Sequence, residues 1–265
     1  MSIRPKRDED IEKMRAAGQI VGEVLVRLQR MAEPGVTTAD LDAEALRIIR
    51  ERGGRALFYG QPHPGTGDKY PGNICASINE QLVHGIPGLR RLAGGDIVSI
   101  DVGVEKDGWC GDAARSFAVG EVPQRVRRLL EVTEEALMIA RREARPGLFW
   151  SAVAGRMEDC VTSAGFSVVQ EYVGHGIGRE MWEEPRVPNY VGRSMRRDDF
   201  LIVENMTMAV EPMVNMGRRH VREADDGWTV VTKDGQPCAH FEDTLVVRRD
   251  GCDALTRWVE PETGG

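Results

Sequence analysis

The chain has 265 residues, 41% of them hydrophobic and 29% charged, which is enough for a sizeable core in one large domain or two small ones. A net charge of −7 excludes a binder of phosphate backbones, and no apolar run reaches the ~18 residues that a membrane span needs. Five cysteines without a CxxC pair exclude a disulfide framework, and the N-terminus MSIRPKRDED lacks an apolar signal core, so a reduced, cytoplasmic protein is expected.

Ile11, Met14, Ile20, Val21, Val24, Leu25 and Leu28 recur at three- and four-residue spacing and predict a first helix, ended by EPG at 33–35. Thr37 or Thr38 can cap a second helix running to Gly53–Gly54. A turn-rich stretch at 58–73 leads into β-type segments, where Asp107–Gly108 between two strand-like runs signals a hairpin. Residues 124–144 predict another amphipathic helix, RPG at 145–147 stops it, and a further helix covers Ser151 to Gly165. The basic run GRSMRR at 192–197 reads as a solvated loop. Because the helix, Pro-Gly stop and short helix occur twice, the expected architecture is one α+β domain over 1–265. Its two similar halves would cover about 1–122 and 123–250.

A two-residue turn at Asp107–Gly108 sets Gly103 opposite Asp112, with Asp101 on the same face one diagonal step away. Two carboxylates so placed repel unless a cation sits between them; on an open sheet face they are only solvated acids. MTMAVEPMV puts Glu211 at the end of an apolar run, before a proline that ends pairing. CAHFEDTLVV puts Glu242 inside another β-rich run, with Thr244 and Val246 on its face. Taken singly, each is equally well read as a salt-bridged core acid. With His175 in the glycine-rich segment GHGIG, the set is four carboxylates and one imidazole. Rich in oxygen and free of sulfur, it suits two divalent ions of the Mn²⁺, Fe²⁺ or Co²⁺ kind. Such a pair activates a water and steadies the oxyanion of a hydrolysed amide. No HExxH, GxSxG or P-loop motif competes.

Six segments carry a resemblance: ICASINEQLVHGIP (74–87), GDIVSIDVGVEKDGWCGD (95–112), YVGHGIG (172–178), MAVEPMVNMG (208–217), DGWTVVTKDG (226–235) and FEDTLVV (241–247). In this order they resemble the type I methionine aminopeptidases. The resemblance implies the pita-bread fold, two pseudo-symmetric αβ halves around a curved antiparallel sheet with a central dinuclear metal site. It implies ligation by Asp101, Asp112, His175, Glu211 and Glu242, with Glu242 bridging and Glu211 also carrying a proton. It gives His84, alone an ordinary loop histidine, a contact with the scissile amide. It places Tyr70, Cys75, Met181 and Trp228 in an apolar, sulfur-friendly methionine pocket, although each alone is equally a core residue. The implied substrate is the N-terminal methionine of nascent polypeptides, with the ribosome as a candidate partner, no nucleic acid, no membrane and a monomer. His63, His220 and His240 match no functional position and are expected to be structural.

The chain departs from that pattern at four places. Trp182 stands where these enzymes carry a second histidine, seven residues after His175, and Met181 replaces a usual phenylalanine. An indole can only donate a hydrogen bond, whereas an imidazole donates, accepts or carries a proton. The expectation is an active but slower enzyme, with restricted residues after the initiator methionine. The loop GQPHPGTGDK at 60–69 is a few residues longer than usual and sits just before Tyr70, where it is expected to remodel the pocket rim, and Gly103 replaces a frequent threonine. Two other readings use the same residues: a proline-directed peptidase of the same fold, and a non-catalytic binding protein that has kept its metals.

Overall fold

The first helix, Asp8–Met31, buries the stripe that its spacing predicts, from Ile11 and Met14 to Val24 and Leu28. The computed structural model describes residues 3–192 and 195–257. Thr37 caps the second helix, Thr38–Glu51, accepting from the Asp40 amide while the Asp40 carboxylate accepts from the Thr37 N–H. The third and fourth helices are Gln124–Glu143 and Trp150–Ser163. Of the basic run at 192–197, residues 193 and 194 and the side chains at 196 and 197 lie outside the described residues, and Met195–Asp198 form one helical turn. Among the described residues no helix is long and apolar enough to cross a membrane.

The longest hairpin pairs Ile97–Lys106 with Trp109–Ala118. Its turn residues Asp107 and Gly108 both have positive φ, 52° and 77°, the turn whose handedness matches strand twist. Cys75–Ile78 and Arg55–Ala56 both pair with Ile97–Lys106 as well. A five-stranded antiparallel sheet runs Gly251–Ala254, Asp243–Arg248, Thr207–Val210, Gly174–Gly176, Glu183–Val187 in spatial order. Two three-stranded sheets complete the β structure, one centred on Met213–Asn215 and one on Val230–Thr232.

The apolar side chains gather under the two helix pairs. One core joins Val21, Val24 and Leu41 to Ile100 and Val102 on the long hairpin. The other joins Leu129, Leu137, Trp150 and Met157 to Met208, Val210 and Leu245 on the five-stranded sheet. Between the cores, the backbones of Ala114 and Glu242 exchange hydrogen bonds of 2.9 and 3.3 Å. The molecule is thus α+β, with antiparallel sheets inside and helices outside. Its central seam is where the acidic residues fall.

Candidate active site

Register sets the first pair of carboxylates. Gly103 pairs with Asp112 and Asp101 with Ala114, so the two acids share a face one diagonal step apart. The second half grips Asp112 by its backbone. Its N–H donates to Thr244 Oγ1 at 2.9 Å, and the Thr244 hydroxyl donates to its carbonyl at 2.8 Å.

Glu211 and Glu242 occupy matching interruptions. Thr207–Val210 pairs with Asp243–Arg248, and Met213–Asn215 pairs with Cys238–His240. Between these two ladders both chains break, one at Glu211–Pro212 and the other at Phe241–Glu242. Pro212 has no N–H to give a ladder. Glu242, expected inside a strand, therefore sits in a gap between strands. Arg115 holds that gap, donating to the Glu242 carbonyl and, at 2.6 Å, to the Asp243 carboxylate.

His175 comes from the short strand Gly174–Gly176, pinned between Thr207–Val210 and Glu183–Val187. Its glycines provide clearance rather than looseness. A Cβ at Gly174 would lie 2.3 Å from the Ala209 carbonyl oxygen, and one at Gly176 would lie 2.3 Å from that of Glu184. His175 Nδ1–H donates to the Gly176 carbonyl at 2.9 Å. That bond fixes the tautomer and leaves the Nε2 lone pair free. Nε2 lies 3.8 Å from Asp112 Oδ2 and 3.9 Å from Glu211 Oε1. One ligand atom each from Asp112, His175 and Glu242 all lie within 4.8 Å of one another.

The electrostatics are those of an acid cluster built for cations. Burial pushes the Asp101 and Glu211 carboxyls up to about 7. It pushes Asp112 and Glu242 well above the carboxylate range, and repulsion from neighbouring carboxylates adds to their rise. Among the described residues, buried Asp101 Oδ1, Asp112 Oδ1 and Glu242 Oε1 have no hydrogen-bond partner. Buried carboxylate oxygens left bare are costly unless a cation answers them. Oxygen donors with one imidazole fit divalent ions of the Mn²⁺ or Fe²⁺ class.

His240, expected to be structural, belongs to this cluster. It is 1% exposed, and its Nε2, without a hydrogen-bond partner, lies 3.5 Å from Glu211 Oε2 and 3.9 Å from Glu242 Oε2. Burial lowers its pKa to about 4. The signal was its place two residues before Glu242, which in an extended chain points both side chains the same way.

Above the acids opens a cavity of about 470 Å³ walled by Phe58, Tyr70, Cys75, Trp228 and Met213, with His84, His175 and Trp182 also on its surface. The volume is that of a small-ligand site. Tyr70 meets Phe58 and Trp228 edge-on at 6.5 and 5.1 Å, and its hydroxyl donates to the Gly85 carbonyl at 2.8 Å. His84 has a positive φ of 58° and packs edge-on against Tyr172. Burial lowers its pKa to about 4, with His240 and His63 adding to the fall.

Met181, expected in the pocket, is not on its wall. It lies behind, where a Cβ on Gly103 would meet its Cε at 3.1 Å. The missing side chain at Gly103 makes the room that Met181 fills. Trp182 is on the wall but stands at the mouth, 53% exposed, its ring 6.4 Å from that of His175. Glu183 shapes this turn, accepting from the Arg179 and Glu180 amides and pairing with Lys6 at 2.6 Å. Gln61, Pro62 and Pro64 of the 60–69 loop and Val83, Tyr172 and Val173 also line the cavity. They fall in segments that the sequence singles out, but only folding shows that these loops meet on one cavity.

A buried carboxylate cluster with an imidazole at the foot of an apolar cavity defines a metal-dependent hydrolase. The model of metallopeptidase family M24 matches residues 12–249. Methionine aminopeptidase 1 of Bacillus subtilis (strain 168) is 42% identical over 254 residues, covering 95% of this chain and 98% of its own length. Methionine aminopeptidase of Escherichia coli (strain K12) is 42% identical over 258 residues, covering 97% and 94%. The crystal structure of methionine aminopeptidase from Thermotoga maritima superposes with a TM-score of 0.90 at 38% identity, covering 97% of this chain and 100% of that one. Prolidase from Pyrococcus furiosus, at a TM-score of 0.74 and 20% identity, covers 97% of this chain and 66% of its own, and shares the fold alone. The chain belongs to metallopeptidase family M24, within its methionine aminopeptidases, and has that family's pita-bread fold.

Proposed function

We propose that this enzyme removes the N-terminal methionine from peptides and nascent proteins. The observation that carries the reading is the meeting of two environments at one cavity: bare, buried carboxylates, and walls lined with sulfur and aromatic rings. Asp101, Asp112, His175, Glu211 and Glu242 would hold two divalent ions, Mn²⁺, Fe²⁺ or Co²⁺. When bound, such ions polarise a water and offset the charge that develops on the amide oxygen. Glu211, a buried carboxylate beside His175 and His240, would hold the proton lost by the nucleophile at its carboxylate and pass it to the leaving amine. His84, uncharged at neutral pH, faces the cavity beside Tyr172 and serves the scissile amide. Tyr70, Cys75 and Trp228 receive the methionine side chain, since thioethers pack well on aromatic edges and sulfur.

Trp182 sets the pace and the tolerance. An indole offers one donor and no proton relay, and its bulk at the mouth narrows the path of the residue after methionine. The enzyme is therefore slower than one with histidine there, and favours a small second residue. Nascent chains as substrate place its work in the cytoplasm near the ribosome, in keeping with five free cysteines. The net charge of −7 favours a monomer.

The test is steady-state hydrolysis of Met-Ala-Ser with Mn²⁺ or Co²⁺, for the natural protein and Trp182→His, with a chelated control. The expected result is measurable, metal-dependent cleavage that Trp182→His raises in kcat by about tenfold or more. If neither protein cleaves while both bind metal, the reading is wrong.

A further inference from the structure

The loop at 60–69 is organised around one side chain. His63 Nδ1 accepts from two backbone amides, those of Gly65 and Thr66, each at 3.1 Å. A ring nitrogen that accepts twice keeps its lone pair there, so the ring proton is on Nε2. Nε2–H donates to Glu223 Oε2 at 3.2 Å, at the end of the strand Val221–Glu223. The same ring meets Trp228 edge-on, with centroids 5.0 Å apart, and Trp228 meets Tyr70 in the cavity wall. A Cβ at Gly65 would lie 3.3 Å from His63 Cε1, close enough that the ring would have to shift by a few tenths of an ångström.

Elsewhere the loop is held by a single bridge, Pro62 to Lys69, and by backbone bonds such as His63 N–H to the Asp68 carbonyl at 2.7 Å. The Gln61 side-chain amide donates to the Leu57 carbonyl at 2.9 Å, and the Asp68 N–H donates to the Thr66 hydroxyl at 3.2 Å; none of these bonds ties the loop to Trp228 or to the strand Val221–Glu223. Gly60 and Gly67 take positive φ, 81° and 77°, at positions free to turn many ways. The two residues flanking His63, Pro62 and Pro64, line the cavity together with Gln61, whereas His63 itself does not.

We propose that His63 is a specificity-determining positioning residue. It clamps the 60–69 loop to Trp228 and Glu223, so that Pro62 and Pro64 stand as a fixed wall of the pocket for the first residue. The inference rests on the reading that this pocket takes an N-terminal methionine. The Glu223 carboxylate is half exposed (49%), so its bond contributes least. The two amide bonds and the Trp228 contact are the clamp.

The test uses the full, Mn²⁺-loaded enzyme with Met-Ala-Ser and Leu-Ala-Ser, and hydrogen exchange read by mass spectrometry. In His63→Ala, KM for Met-Ala-Ser rises about tenfold with kcat within about twofold, and the preference for Met over Leu falls about tenfold. Exchange across 60–69 speeds up while the helices keep their protection. His63→Asn keeps a carbonyl oxygen for the Gly65 and Thr66 amides; it restores protection of the loop but not the Met preference, because the ring contact is gone. Glu223→Gln changes KM by less than about twofold. Unaltered exchange across 60–69 in His63→Ala overturns the clamp whatever the kinetics give. So does a natural enzyme that cleaves Met-Ala-Ser while the variant keeps its KM and Met preference. A natural protein that cleaves nothing, with faster loop exchange in the variant, upholds the clamp and overturns only the methionine reading.

Discussion

The floor and the rim of the cavity are built by different rules. On the floor, Asp101 and Asp112 ride the two ten-residue strands of one hairpin, and His175, Glu211 and Glu242 sit on or beside paired strands. Each has backbone neighbours that fix where its side chain points. On the rim, Pro62, Pro64, His84, Tyr172 and Trp182 stand on loops and turns, where side-chain contacts such as Lys6 to Glu183 or His63 to Trp228 take the place of strand pairing. Strands place chemistry rigidly, and loops leave selectivity free to drift. Every floor residue implied by the family resemblance is present here, while three of the four departures lie at the rim or behind it and Gly103 alone sits on the floor's hairpin.

If the comparison holds, floor variants lose rate and metal, and rim variants lose affinity and selectivity. The largest effect is expected from Glu211→Gln, which removes the proposed proton carrier in nearly the same volume. It should lower kcat by roughly 10²–10⁴ with a small change in KM. A kcat near that of the natural enzyme would give the proton to another group and break the assignment of the floor.

The floor should also respond to pH. Asp101 and Glu211 rise from ordinary values of 3.8 and 4.5 to about 7 in the folded chain. Between those limits the metal-free fold holds protons that the unfolded chain has released. Their contribution to stability is therefore full below the ordinary carboxylate range and lost as pH rises through about 7. Ions need the ionised form, so Mn²⁺ affinity should climb over the same window, by up to about tenfold per pH unit for each proton displaced. Titration calorimetry at several pH values measures this, and a flat affinity contradicts the buried, cation-seeking floor.

On the rim, Trp228→Ala removes a ring that touches both Tyr70 and His63. KM for a methionyl peptide should rise about tenfold while kcat changes by less than about threefold. An equal loss in kcat alone would join rim to floor and dissolve the distinction. The smallest effect lies behind both. Gly103→Ala should cost about 1–2 kcal/mol of stability by pressing on Met181 and Leu57. Thermal melts of Gly103→Ala, Met181→Ala and the double variant should show that the two changes are not additive.

The sequence by itself determined the helices, because their apolar period, caps and Pro-Gly stops are local signals. It determined the placing of Asp101 and Asp112 on one sheet face, because a two-residue turn fixes the register of its hairpin and the alternation of strands does the rest. The family of the chain was legible too, from motifs spread over nearly its whole length. Tertiary structure decided how four other parts settled. Glu242 left its expected strand because Pro212 opens a gap in the chain opposite, a pairing that no local pattern records. His240 entered the acid cluster because two ladders meet there, and Met181 withdrew into the space left by Gly103, 78 positions earlier by their numbering in the chain. The loop at 60–69 became a wall of the cavity because His63 found Trp228 and Glu223 far along the chain. Period and turn chemistry act over a few residues and can be read in order. Contact between distant loops depends on the packing that brings them together, and only the folded molecule holds that information.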